Sequence, residues 1–230
     1  MPKNYCRVWP GLALLLCLAT ACQPPEHDTR VQQQVASAEA TREEKTFKEQ
    51  VEAFEDQGRD AWQKPEAVIA LFGNLTGKVV ADIGAGSGYF SFRLARQARQ
   101  VWAIDIDPRF LKYIETKNEA QSEPLPIKTR LGKADTPGLA AGLVDAVLVV
   151  NTYHHIDARI DYFRAVWQAM KPGARLVVVD YKKGDLPLGP PDKLKLSVDT
   201  MQQELKAAGF RLLAADPVAL PYQHVLLLEK

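Results

Sequence analysis

The feature that most restricts this chain is the stretch VVADIGAGSGYFSFRLA, residues 79–95. An apolar run closes on Asp82-Ile83, a turn carries Gly84, Gly86 and Gly88, and a helix-like segment opens directly afterwards. Glycine tolerates positive φ and lets a ligand reach the backbone. The helix that follows presents free N–H groups to that ligand. Strand, glycine turn and helix in that order belong to α/β architectures, and spacing then narrows the ligand. A dinucleotide loop of the form G-x-G-x-x-G needs glycine at position 89, where Tyr89 stands. A P-loop needs Lys-Ser/Thr where Tyr89-Phe90 stand. The pattern left is D-x-G-x-G-x-G. Its acid would repel a diphosphate and pair with an ammonium group.

The rest of the chain repeats the alternation. KVVADIG, QVWAIDI, PIKTRLG, VDAVLVVN and ARLVVVDY are five candidate strands, separated mostly by helix-like segments. VDAVLVV and LVVVD are almost continuously apolar, as strands covered on both faces are. Strand–helix alternation predicts a largely parallel sheet with right-handed crossovers. The tail adds a helix over 198–208 and strands near 210–214 and 224–228. The short link between those last two predicts an antiparallel pair.

Acids recur where these strands end. Asp105 closes the second strand, 23 residues after Asp82, where a carboxylate can accept both hydroxyls of a ribose. Asp135 follows the third strand and could accept from an exocyclic amine. Asp107, ahead of Pro108, reads as a helix N-cap. Each acid taken alone could merely cap a turn or helix. Together with the glycine loop, they suit a cation that carries a ribose and an aminopurine.

From about Lys78 to Lys230 the chain resembles the class I S-adenosylmethionine-dependent methyltransferases, through VVADIGAGSGYF, VWAIDIDPRFL, GKAD, VDAVLVVNTYHHI and WQAMKPGARLVVVDY. The resemblance implies a Rossmann-like α/β fold with a seven-stranded, mostly parallel sheet of order 3-2-1-4-5-7-6. Strand seven would run antiparallel, with helices on both faces. It implies S-adenosyl-L-methionine as cofactor. Asp82, Gly84, Gly86 and Gly88 would hold the methionine part, Asp105 with Ile106 the ribose, and Ala134 with Asp135 the adenine. Asn151 would hold the methionine end or the acceptor by its amide. Ala174 replaces the usual second glycine of KPGGRL, at a turn away from the chemistry. A narrower resemblance, to periplasm-directed methyltransferase-domain proteins with YHHI and GPP segments, names no substrate.

The residues after the fourth strand, Asn151-Thr152-Tyr153-His154-His155, fall at the edge where methyl and acceptor should meet. One histidine could take the acceptor's proton, since imidazole titrates near neutrality. It could equally contact a ligand or pack, and Tyr153 joins the catalytic candidates. Adjacent histidines point apart and no third ligand accompanies them, so no metal site is expected. Arg59-Asp60-Ala61-Trp62, Tyr181 and the loop 182–191 are further acceptor-side candidates. Trp62 fits a place in the core equally well, and the loop charges fit a solvated face.

The first residues read as an address. Lys3 and Arg7 precede the apolar run GLALLLCLATA, which is too short to span a bilayer and ends in Ala19-Thr20-Ala21. LATAC resembles the lipobox of bacterial lipoproteins, which implies a signal peptide over 1–21, lipidation of Cys22 and a membrane anchor. Gln23 after it favours the outer membrane, facing the periplasm. Residues 22–45 read as a polar tether, helical from about Val31; 46–77 read as a helical entry segment or lid; 78–230 read as the methyltransferase domain. The three cysteines all lie at or before position 22, which rules out a disulfide scaffold or cysteine nucleophile downstream. A net charge of +1 gives no footprint for nucleic acid, so the expected partner is a small-molecule acceptor. Export conflicts with a cofactor made in the cytosol. A non-catalytic envelope lipoprotein that binds ligand on this fold is therefore the alternative; a nicotinamide oxidoreductase is disfavoured by Tyr89.

Overall fold

The computed structural model describes residues 26–230; the expected signal peptide and Cys22 lie outside them. The chain divides into two compact units after Thr46. Helix α1 runs Glu26–Phe54, so the segment expected to become helical near Val31 is helical from Glu26. Its sequence contains no glycine or proline, and Gln, Ala and Glu all favour helix.

In the second unit, short helices α2 (Arg59–Gln63) and α3 (Pro65–Ala70) lead into the sheet. The order then is β1 (Val79–Ile83), α4 (Tyr89–Ala95), β2 (Gln100–Asp105), α5 (Pro108–Glu119), β3 (Ile127–Leu131) and β4 (Val144–Val150). A 3-10 turn at Tyr153–His155 follows, then α6 (Arg159–Ala169), β5 (Met170–Tyr181), α7 (Val198–Ala207), β6 (Arg211–Ala215) and β7 (Gln223–Glu229). The seven strands form one sheet of order β3-β2-β1-β4-β5-β7-β6, with β7 antiparallel to both neighbours, as expected. β5 starts earlier than its apolar run. Met170 pairs with Val144, and the register shifts before Arg175 resumes opposite Ala146, so KPG is absorbed as an irregularity within the strand.

Strand periodicity separates two cores. Along β4, Val147 and Val149 face Phe163, Val166, Met201 and Leu205 of α6 and α7. Ala146, Leu148 and Val150 face Val68, Ile69, Phe90 and Leu94 of α3 and α4. Each fully buried side chain of this size contributes about 1.5–3 kcal/mol, which makes the sheet the rigid part of the molecule. Register then aligns the strand ends: Ile83 lies beside Ile104 and Val149, so β1, β2 and β4 finish on one edge. β5 runs parallel to β4 and finishes there too. Gly84 makes the first turn at that edge with φ of 74°, and a Cβ there would meet Thr152 Oγ1 at 1.9 Å, so only glycine fits. Asp107 caps α5 as expected, accepting from the Arg109 N–H at 2.9 Å, with Pro108 in the first turn.

Candidate active site

A cavity of about 1040 Å³ opens at the edge where β1, β2, β4 and β5 end. Asp82, Gly84, Gly86, Asp105, Ile106, Ala134, Asp135, Asn151, His154 and His155 all lie on its wall, so the sheet brings together most of the residues singled out from sequence. Two do not belong. Gly88 is outside the lining and packs against Ile114 and Phe92, so its part is to turn the chain into α4. Tyr153 is fully buried among Phe163 and its neighbours, and its hydroxyl donates to Glu204 at 2.7 Å. Burial, together with that bond to Glu204, pushes its phenol well above the ordinary value. Tyr153 is therefore a core residue, not a catalytic one; the 3-10 turn aims consecutive side chains in different directions.

The acids differ in environment. Asp82 is 2% exposed and accepts one hydrogen bond, 2.6 Å from Ser91 Oγ. Burial raises its carboxyl to about 6, against the lowering influence of Ser91 and of the Arg59 charge. Asp105 accepts from the Gly86 N–H at 2.9 Å and the Asp107 N–H at 3.0 Å, which ties the glycine loop to the end of β2. Burial raises its carboxyl too. Each Asp105 oxygen keeps a second lone pair for a hydroxyl donor. Ile106 beside it is 68% exposed, an apolar surface facing the cavity. Asp135 sits exposed on the rim.

The other end of the cavity holds a dyad that sequence inspection missed. Asp180, buried near the end of β5, lies 2.7 Å from His154 Nδ1 and accepts from the His154 N–H at 3.0 Å and the Tyr181 N–H at 2.7 Å. A carboxylate only accepts, so Nδ1 is the protonated nitrogen facing Asp180, and a neutral His154 ring would keep its lone pair on Nε2. The His154 side chain is 3% exposed, held in one orientation. His155 is more exposed, with its ring 4.0 Å from that of His154. Burial and the adjacent His154 lower its pKa, which keeps it neutral. The signal for Asp180 was present: VVVDY carries an acid near its end, as VVADI and VWAID do.

Entry-segment residues form the remaining wall. Phe54, Arg59 and Trp62 line the cavity with Tyr89, Tyr181, Leu188 and Pro190. The Arg59 guanidinium lies 4.0 Å over the Tyr89 ring and donates to the Phe54 carbonyl at 2.8 Å and to Gln63 Oε1. Cation–aromatic stacking and these two hydrogen bonds hold it in place.

The profile of the methyltransferase domain family matches residues 81–178. A tRNA U34 carboxymethyltransferase of Desulfotalea psychrophila is 31% identical over 118 residues, which cover 51% of this chain and 36% of that protein. A demethylmenaquinone methyltransferase of Tropheryma whipplei is 29% identical over 120 residues, covering 52% of this chain and 48% of that protein. The chain thus spans about half, or less, of the curated relatives it matches. Among solved structures, an S-adenosylmethionine-dependent methyltransferase from Aquifex aeolicus superposes with a TM-score of 0.73 at 23% identity, over 79% of this chain and 97% of that one. That likeness is one of fold.

Proposed function

We propose that this chain is a class I S-adenosylmethionine-dependent methyltransferase that methylates a small-molecule acceptor, a reading supported by the methyltransferase-domain match and the strand order. One observation carries the reading. Asp82 presents a buried carboxylate to the cavity; among the described residues only Ser91 donates to it, and the Arg59 charge acts on it without forming an ion pair. A buried acid without a counter-ion is costly unless a ligand supplies one.

The donor set fits the cofactor end to end. Asp82 would take the ammonium, Asp105 the ribose hydroxyls through its remaining lone pairs, and exposed Ile106 the face of the adenine. Ala134 and Asp135 would meet the adenine edge. The bound cofactor supplies an electrophilic methyl group on a cationic sulfur. The chain's own work is then to orient an acceptor and remove its proton. His154, on the cavity wall, would act as the base through Nε2, and Asp180 holds its tautomer. Trp62, Leu188 and Pro190 exclude water around the acceptor.

A small acceptor, not a nucleic acid, is supported by the near-zero net charge. The apolar leader and Cys22 support an enzyme tethered by lipid in the bacterial envelope, facing the periplasm, with the outer membrane favoured. The same leader favours a second reading, a ligand-binding lipoprotein without turnover. Incubating the full chain with methyl-labelled S-adenosylmethionine and an envelope extract separates the two. Label passing into a small organic product supports the enzyme; tight cofactor binding with no transfer supports the binding protein.

A further inference from the structure

A file of four hydrogen bonds with a fixed direction runs from Arg59 to Tyr181, both on the cavity wall, by way of buried residues behind it. Arg59 Nε donates to Gln63 Oε1, and Gln63 Nε2 donates to Gln223 Oε1 at 3.0 Å. Gln223 Nε2 donates to Asn151 Oδ1, and Asn151 Nδ2 donates to the Tyr181 hydroxyl oxygen at 3.3 Å. Guanidinium has no acceptor, so Gln63 must turn its oxygen toward Arg59 and its NH₂ onward. Each later amide inherits that orientation. Gln63 and Gln223 are both fully buried, so solvent does not reset the order. The file ends on Tyr181 as an acceptor, which leaves the Tyr181 O–H as a donor. No described residue accepts from it, and Tyr181 lines the cavity. Gly189, with φ of 96°, seats its backbone against the Tyr181 ring; a Cβ there would meet ring carbons at 2.7 Å, so the phenol is clamped.

The His154 ring stands nearly perpendicular to that of Tyr181, 6.3 Å away between centroids. The cavity therefore offers, side by side, one obligatory donor and one free base. Resting on the methyltransferase reading above, we propose that the acceptor is an apolar molecule bearing a phenolic or enolic hydroxyl, gripped between the Tyr181 O–H and His154 Nε2. A hydroxyl oxygen can give its proton to His154 and accept from Tyr181 at once. An ammonium has no lone pair for Tyr181, a carbon nucleophile accepts no comparable bond, and sulfur accepts weakly. A phenol ionises at about pH 10, so imidazole takes its proton far more readily than that of an aliphatic alcohol as the oxygen reacts. In the transfer, the acceptor oxygen forms the new O–CH₃ bond while the S–CH₃ bond breaks and its electron pair stays on sulfur. The hydroxyl proton passes to His154 Nε2. Tyr181 is then a catalytic donor to the developing oxyanion, and Gln63, Gln223 and Asn151 are positioning residues that set its polarity.

One isosteric change reverses the file. In Gln63→Glu the carboxylate accepts from both Arg59 and Gln223, so Gln223 must present its oxygen to Asn151. Asn151 then accepts from Tyr181, and the O–H leaves the cavity. The test uses the full chain with 4-nitrophenol, whose absorbance reports its ionisation, with and without S-adenosylhomocysteine. Wild type is expected to bind the probe as phenolate at a pH where it is neutral in solution. Tyr181→Phe and Gln63→Glu should both return its apparent pKa to the solution value. Turnover of 4-nitrophenol with methyl-labelled cofactor should fall roughly 100-fold in each variant, the usual effect of losing one oxyanion donor, with cofactor affinity unchanged by calorimetry. Failure to bind the probe, binding with unshifted ionisation, Gln63→Glu behaving as wild type, or preferred transfer to 4-nitrothiophenol or 4-nitroaniline would each overturn the proposal. Absence of cofactor binding by wild type would instead overturn the methyltransferase reading beneath it.

Discussion

The chemistry at the level of single residues turns on two buried carboxylates with opposite surroundings. Asp82 forms no ion pair among the described residues, and burial outweighs the Arg59 charge and raises it to about 6. A proton and an ammonium group compete for it, and cofactor affinity should fall as pH drops through 6. At pH 5 only about a tenth of it is ionised, which predicts roughly tenfold weaker binding than at pH 7.5 by calorimetry. A flat profile over that range would contradict the ammonium role. Asp180 is saturated with donors, including both His154 contacts. Asp180→Asn should cost on the order of 10²–10⁴ in turnover, because the wrong imidazole tautomer faces the acceptor. Cofactor affinity should be retained; unchanged turnover would remove His154 as base. The three strand-end acids were legible because strand ends share an edge in any parallel sheet. The Asp180 partnership was not, since it joins positions 26 apart across β4 and β5. Side-chain direction in the Tyr153–His155 turn was illegible too, because one residue of rotation separates cavity from core.

Among the elements, α6, α7 and the 3-10 turn are locked by Glu204, which receives the Tyr153 hydroxyl at 2.7 Å and the Arg159 guanidinium at 2.7 and 3.0 Å. Arg159 in turn donates to the Ile156 carbonyl at 2.9 Å. The arrangement predicts that Tyr153→Phe costs about 1 kcal/mol, a fall in melting temperature of roughly 2–4 °C for a chain of this size. Its turnover should stay at the wild-type level. A large loss of turnover without loss of stability would return Tyr153 to the chemistry. Apolar runs located β1, β2, β4 and the later part of β5, because buried strands need unbroken Val, Leu and Ile. They misplaced the start of β5, where KPG reads as a turn yet is carried inside the strand by pairing with Val144. Long-range pairing overrode local punctuation there.

Over the whole molecule, alternation alone gave a parallel α/β sheet with an antiparallel tail; the strand order came from family resemblance. Glycine spacing excluded phosphate loops, and three converging acids pointed to the cofactor. The file from Arg59 to Tyr181 draws on α2, β7, β5 and the residue after β4, so no local pattern could announce it. The leader belongs to this scale as well. If Cys22 anchors the mature chain, Cys22→Ser should abolish incorporation of labelled palmitate in cells and release the protein from membranes, and persistent labelling would refute the anchor.

Everything above depends on a cationic, ribose-bearing ligand lying across the tips of β1 and β2. Calorimetric titration of the full chain with S-adenosylmethionine, beside Asp105→Ala, reads that directly. Saturable one-to-one binding that weakens more than tenfold in the variant is the predicted result. An unchanged affinity, or no binding by the native chain, would contradict it.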